Sequence, residues 1–433
     1  MLQILPGTVS ASFAQIARSP GTITYQQILE QPDDLELVFS YARQEAELGN
    51  LQASAGALER LLLLEPEWDH ARFFYAIVLY RLSDLDGALR ELEILEGRDL
   101  PEAHMAEVQR YKRLADHENA STRISAQTSS GIRCDTNRNL ASERDFGFGG
   151  AAGTIPLLVP KRDDVAFLRD LSARIEHDLG SPEGHFLFAQ ARAYFNEQLK
   201  VNVQDFIHGD ARAGVTFYAD KVSVTPYGRL RGLRIDGHHR LTEASGGIKF
   251  DIGLSPSLSL FAGVEASRRR YSNRSSLPPA KLRNGTLYFP SGGASLRWNR
   301  HNTLTASLGY YIMDAWRNYH SFTELDGRLS NLTLLGKGQY LLSEVHLSRL
   351  RADAPHPAYS AVLRRKDFRF KGRLAYGVPV GTIAQWLGTQ TPSLIDNINL
   401  QVSAAYFHQN SNYPNFDVEN FTGDLIFTKR FKF

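Results

Sequence analysis

From residue 122 to its last residue the chain alternates between apolar and polar side chains. Leu304, Ala306, Leu308, Tyr310 and Ile312 interleave with Thr303, Thr305, Ser307, Gly309 and Tyr311; Ile398, Leu400, Val402 and Ala404 interleave with Asn399, Gln401 and Ser403. Successive strand residues point to opposite faces, so each such segment has one greasy and one wet side. About 14 segments of this kind run from 122–135 to 417–433. Each is longer than the roughly 5 or 6 residues of an ordinary globular strand. Two architectures accommodate so many long two-faced strands: soluble sandwiches with apolar faces packed together, or one closed barrel with its apolar face outward.

Composition narrows the choice. A chain of 433 residues is expected to form two domains, and a net charge of +2 offers no electrostatic footprint for nucleic acid. No run of about 18 apolar residues occurs, which excludes helical membrane spans. A barrel is still allowed, because alternation halves the apolar content of each strand. The single cysteine, Cys134, rules out an intrachain disulfide. Residues 1–20 form an atypical segment with a small-residue run, Ser10-Ala11-Ser12-Phe13-Ala14, expected to be the remnant of a signal peptide.

Residues 21–120 have a different period. Pro32 recurs as Pro66, Phe39 as Phe73, Tyr41 as Tyr75, Ala42 as Ala76 and Leu58 as Leu92, a spacing of 34 residues. That period, with small residues where helices cross, resembles the tetratricopeptide repeat. Gly49 supplies the left-handed turn between the helices of the first copy, and Ser83 stands there in the second. In this resemblance a partner-binding groove is lined by Phe39, Arg43, Glu47, Phe73, Ile77, Tyr80 and Arg81. The same face is equally open to packing against the chain's own second domain.

Loop lengths favour the barrel for residues 121–433. Short connections such as Gly180 to Gly184, Asp220-Lys221 and Ser255-Pro256 alternate with long ones such as Thr136 to Asp164 and Arg351 to Arg364. Up-and-down barrels have short turns on one side of the membrane and long loops on the other. Pro379 to Ser393 breaks this order, with a short helix expected at Ile383 to Leu387. Gly147 to Gly150 reads as linker. By alternation Arg192, Arg212, Lys249, Arg297, Arg369, Lys371 and Arg373 line the lumen with Asp251 and Glu265. Such cations either select an anionic solute or join wall-to-wall salt bridges that fill the barrel. Tyr271, Trp298, Tyr310 and Trp316 are expected in an interfacial girdle. Lys429 shares the outward face with Phe427 and Phe431, so it has to lie near an interface.

Tetratricopeptide-like helices followed by an antiparallel up-and-down transmembrane β-barrel of about 14 strands resemble the surface lipoprotein assembly modifier family of outer-membrane proteins. Similar proteins open the barrel with an Asp-x-Asn-x-Asn segment, here Asp135, Asn137 and Asn139 after Cys134. The resemblance implies export or surface display of a lipoprotein or other protein, with the helices in the periplasm engaging a client or partner. It also implies that Phe431 and the terminal Phe433 are read by the outer-membrane assembly machinery. An exopolysaccharide or anionic-solute export porin is the alternative by architecture, and a structural anchor for an assembly is another.

No metal-ligand spacing, phosphate loop or nucleophile set occurs, so neither cofactor nor enzymatic activity is expected. Asp135, Asn137 and Asn139 offer oxygens for calcium but serve equally as a strand-end turn.

Overall fold

The structure, a computed structural model, describes residues 23–31, 33–142, 147–150, 153–156, 160–273, 280–389 and 397–433. Segment 1–20 and Pro32, singled out above, lie outside these residues. The chain forms two compact units, a helical one ending at Arg123 and a strand unit over Ile124–Phe431.

The helical unit comprises α1 (Tyr25–Glu30), α2 (Leu35–Leu48), α3 (Leu51–Leu64), α4 (Asp69–Arg81), α5 (Leu85–Glu96) and α6 (Glu102–Asn119). Side-chain caps start three of them: Thr24 closes a capping box with Gln27, and Asp34 and Asp84 accept from the Leu37 and Gly87 amides. Consecutive helices pack as hairpins because the residues at their crossings are small. Ala42, Ala71 and Ser54 are fully buried, and the Ser54 hydroxyl donates to the Ala42 carbonyl at 2.7 Å. Gly49 ends α2 at φ +88°, and Ser83 takes the equivalent left-handed position after α4 at φ +65°. A side chain is thus held where glycine costs least.

The strand unit is a closed barrel of 14 antiparallel strands in sequence order. β1 (Thr122–Asp135) is followed by β4 (Asp164–Asp178), β5 (Phe186–Gln198), β6 (Phe206–Ala219), β7 (Val222–Ile235) and β8 (His238–Gly253). Then come β9 (Leu258–Tyr271), β10 (Gly285–Arg297), β11 (Asn302–Ala315), β12 (Phe322–Gly336) and β13 (Gln339–Ala352). β14 (Lys366–Pro379), β15 (Ile398–Ser411) and β16 (Val418–Lys432) complete the wall, and β16 pairs with β1. Gly147 to Gly150, expected as linker, is instead β2 (Gly147–Gly150), which pairs with β3 (Gly153–Pro156) in a separate hairpin.

One end of the barrel carries tight turns, including Asp220-Lys221 and Lys337-Gly338, with Asp220, Lys337 and Gly338 at positive φ. The other end carries the long connections 136–163, 272–284 and 353–365. The separation is not complete. Asp236-Gly237 is a tight turn at the loop end, and the turn end holds 380–397 with α7 (Val380–Trp386), a few residues ahead of the helix expected there. Because the strand number is even, β1 begins and β16 ends at the turn end.

Outward positions are apolar and uncovered. Leu230, Leu308, Leu325, Leu374, Phe421 and Phe427 are each at least 46% exposed. So continuous an apolar exterior around a closed sheet matches a hydrocarbon solvent rather than water. No helix among the described residues is long and apolar enough to cross a membrane. Lys429 faces outward three residues from the end of β16, with its ammonium 5.5 Å from the Phe431 ring centre. Tyr310 is exposed on the outer face and Trp298 and Trp316 are exposed just past the ends of β10 and β11, whereas Tyr271 has inner-wall parity with Glu265 and Arg269.

Candidate functional site in the barrel lumen

Alternation on β14 sends Arg369, Lys371 and Arg373 to the inner wall, opposite Ser348, His346 and Glu344 of β13. Lys371 and Arg373, with Arg133 of β1 and Arg192 of β5, line a lumen cavity of about 730 Å³. All nine residues read as lumen-facing have inner-wall parity, but their partners differ. Arg192 Nε donates to Asp170 at 2.9 Å, Arg369 to Glu324 at 2.9 Å and Arg373 to Glu344 at 3.0 Å. Lys249 lies 2.7 Å from Asp251, and Glu265 accepts from the Tyr227 hydroxyl at 2.8 Å. Arg212 stacks on the Tyr227 ring at 3.6 Å and has no ion pair to a carboxylate among the described residues. Arg297 stands near the turn end, exposed.

Lys371 is the exception that matters. It lines the cavity between Arg133 and Arg373, yet those two guanidiniums hold Asp424 and Glu344. Among the described residues no carboxylate lies within ion-pair distance of its ammonium. The result is an uncompensated cation inside a cavity whose other charges are largely matched.

Several inner-wall charges lie beyond the nine expected from alternation. Glu243 is 2% exposed and accepts from Arg231 at 2.9 Å and from Arg269 at 2.7 Å. Asp210 accepts from Arg229 at 2.6 Å. The parity that placed Lys249 inward also places Glu243 inward, so the signal was present. It was obscured in β7, where Arg229-Leu230-Arg231-Gly232-Leu233-Arg234 puts arginine on both faces.

Inward aromatic rings lean over glycines of the next strand. A Cβ on Gly247 would come within 2.7 Å of Tyr227, one on Gly293 within 2.5 Å of Phe261, and one on Gly309 within 2.5 Å of Phe289. The missing side chains let these rings lie against the wall.

The Asp-x-Asn-x-Asn segment is a clasp. Asp135 accepts from Asn420 at 2.9 Å, the Asn137 amide donates to Asn420 at 2.9 Å, and the Asn137 side chain bonds Ala141 and Glu419 carbonyls. Asn139 bonds Pro160 and Arg162. These bonds occupy both asparagine side chains, and among the described residues no cluster suited to a metal ion occurs.

At the loop end, rings from three connections pack together. Tyr319 lies 4.8 Å and His320 5.3 Å from His356, and Tyr359 lies 5.2 Å from Phe416. Arg365 sits 3.5 Å over Phe416. His320 is pushed down to about 4, by burial first and then by Arg283 and His356.

In the helical unit the expected groove is only partly open. Phe39 is 6% exposed, packed against Trp68, His70 and Phe74. Phe73 and Tyr80 are both covered by Tyr111 of α6, and the Tyr80 hydroxyl donates to Glu118 at 2.6 Å. Phe39 is thus part of the core, whereas Phe73 and Tyr80 stay partly exposed beneath Tyr111. Ile77 is half-buried, while Arg43, Glu47 and Arg81 are exposed.

No protein-family model and no curated protein sequence matches this chain. Solved structures similar to its barrel include a bacterial polysaccharide outer membrane secretin, at 11% identity over 72% of this chain and 98% of that one, with a TM-score of 0.34. Others are the outer membrane protein OprD from Pseudomonas aeruginosa, at 9% identity over 72% and 94%, TM-score 0.35, and the Pseudomonas putida toluene transporter TodX, at 8% over 73% and 91%, TM-score 0.33.

Proposed function

We propose that this chain is an outer-membrane transport protein whose barrel conducts an anionic solute. The observation that carries this reading is Lys371, an ammonium without a carboxylate partner on the wall of a 730 Å³ cavity. An uncompensated charge on a lumen wall raises the local concentration of its counter-ion and sets selectivity. The surrounding ion pairs do not cancel it, because each already balances itself. Long loops face outward in such barrels, so the turn end, where the chain enters β1, is assigned to the periplasm together with the helical unit. Planar-bilayer recording in a salt gradient tests the reading: anion preference in the wild type supports it, and a non-conducting or cation-selective barrel rejects it.

Lipoprotein export or surface display is the second reading, favoured by exposed Arg43, Glu47 and Arg81 on helices built as a repeat-like array. There the helices engage the client or its carrier. Gene deletion followed by protease treatment of intact cells decides it, since unchanged accessibility of every surface lipoprotein removes the idea.

A further inference from the structure

Outward-facing arginines are distributed unevenly along the barrel. Arg234 on β7, Arg268 and Arg270 on β9, Arg349 and Arg351 on β13 and Lys366 on β14 all stand in the loop-end parts of their strands. They share the parity of the lipid-facing Leu230, Val264, Val345, Leu347 and Phe368, and all six are exposed. In the turn-end halves of the strands, Lys429 is the one outward lysine or arginine among the described residues.

Their partners set them apart from the inner-wall cations. Arg133, Arg229, Arg231, Arg269, Arg369 and Arg373 all hold carboxylates. No ion pair to a carboxylate forms at the six outer cations among the described residues. Arg268 donates to the Thr286 hydroxyl at 3.1 Å, and Asp314 lies one strand further on, across from Thr286. The other outward carboxylates at this end are Glu197 and Glu419, on other strands, and Glu419 is held by Lys161 at 3.1 Å. Arg351 and Lys366 are direct cross-strand partners on the same face. Like charges placed so destabilise a sheet unless an anion lies between them.

We propose that this rim binds the phosphate groups of a phosphorylated glycolipid in the outer leaflet. The inference rests on the reading of the barrel as membrane-spanning. The rim continues the apolar belt into the headgroup layer, where a guanidinium fork meets phosphate oxygens through two parallel hydrogen bonds. Arg351 with Lys366 and Arg268 with Arg270 form two separate clamps, suited to a headgroup carrying more than one phosphate.

The test uses the full chain folded into phosphatidylcholine vesicles, with the heat-modifiable band on a gel as folding readout. Lipopolysaccharide, the same glycolipid after enzymatic dephosphorylation, and phosphatidylglycerol are then added separately. The expected result is that lipopolysaccharide raises the temperature at which the compact band is lost, while the other two leave it nearly unchanged. The Arg351→Ala, Lys366→Ala double variant, still compact in phosphatidylcholine, should bind lipopolysaccharide roughly ten-fold more weakly. The Lys429→Ala variant should bind like the wild type. Equal stabilisation by the dephosphorylated lipid or by phosphatidylglycerol overturns the proposal, as does unchanged affinity in the double variant. If no compact form appears in phosphatidylcholine, the membrane-spanning reading fails instead.

Discussion

Arg133 on β1 donates to Asp424 on β16 across 2.6 Å, joining the first and last strands of the barrel over a sequence separation of 291 residues. Asp424 also accepts from Ser403 on β15 at 3.1 Å, so one carboxylate ties three strands at the seam. Its side chain is 5% exposed, against 29% for Arg133.

Removing that carboxylate leaves a partly buried guanidinium unmatched. Asp424→Asn is expected to cost about 2 kcal/mol, the range of a charge-assisted hydrogen bond. The compact gel band should then be lost at a lower temperature. Adding Arg133→Gln to Asp424→Asn should recover part of the loss, because no unpaired charge remains. If the double variant loses the sum of both single effects, the pair does not act as a unit.

Lys371→Glu reverses a charge on the cavity wall that has no carboxylate partner among the described residues. The reversal potential in a salt gradient should move toward cation preference, with conductance retained. Arg192→Gln removes one positive charge where Lys371→Glu changes two, and it should shift the potential less than half as far if the wall at Lys371 sets selectivity. A shift half as large in Arg192→Gln would mean that selectivity follows total lumen charge rather than this site.

Glycine tolerance should depend on face. Gly293→Ala places a Cβ 2.3 Å from the Ala306 carbonyl oxygen and 2.5 Å from Phe261, whereas Gly228 has nothing within 4 Å. The first is expected to destabilise the barrel by about 1–3 kcal/mol. The second should be nearly neutral. Thermal loss of the compact band measures both.

Ser83 holds a left-handed backbone that glycine adopts without strain. Ser83→Gly should stabilise the helical unit by about 1 kcal/mol. The helical signal at 222 nm, followed through thermal unfolding of the full chain, reads the change. A lower midpoint would show that the hydroxyl contributes more than the backbone strain costs.

The loop-end ring cluster should loosen in acid. His320 is held at about 4, below the ordinary imidazole value near 6.5, so between these limits the unfolded loop binds a proton that the packed loop refuses. Stability of the cluster is therefore intact above about pH 6.5 and falls as pH drops toward 4. His356, lowered by burial and then by Arg283 and Arg365, acts in the same direction. Protease cleavage within 353–365 should rise between pH 7 and pH 4.5, and His320→Gln should flatten the response.

Local periodicity made much of this protein legible in its sequence. A period of two is a property of neighbouring residues, so the positions of all 14 barrel strands and the inward parity of Arg192, Lys371 and Glu265 could be read without knowing any partner. The helical hairpins were legible for a similar reason, since small residues at Ala42 and Ala76 and the turn at Gly49 act within one repeat. What a side chain meets across the fold was not legible. The register between β14 and its neighbours decides that Arg373 finds Glu344 while Lys371 finds no carboxylate. The packing of α6 decides that Tyr80 is covered and Arg81 is not. Closure of the sheet brings Arg133 to Asp424 and joins Asp135 and Asn137 to Asn420. Parity is set within a strand by the chain's own geometry, but compensation of charge depends on contacts between residues far apart in sequence, which only the folded wall brings together.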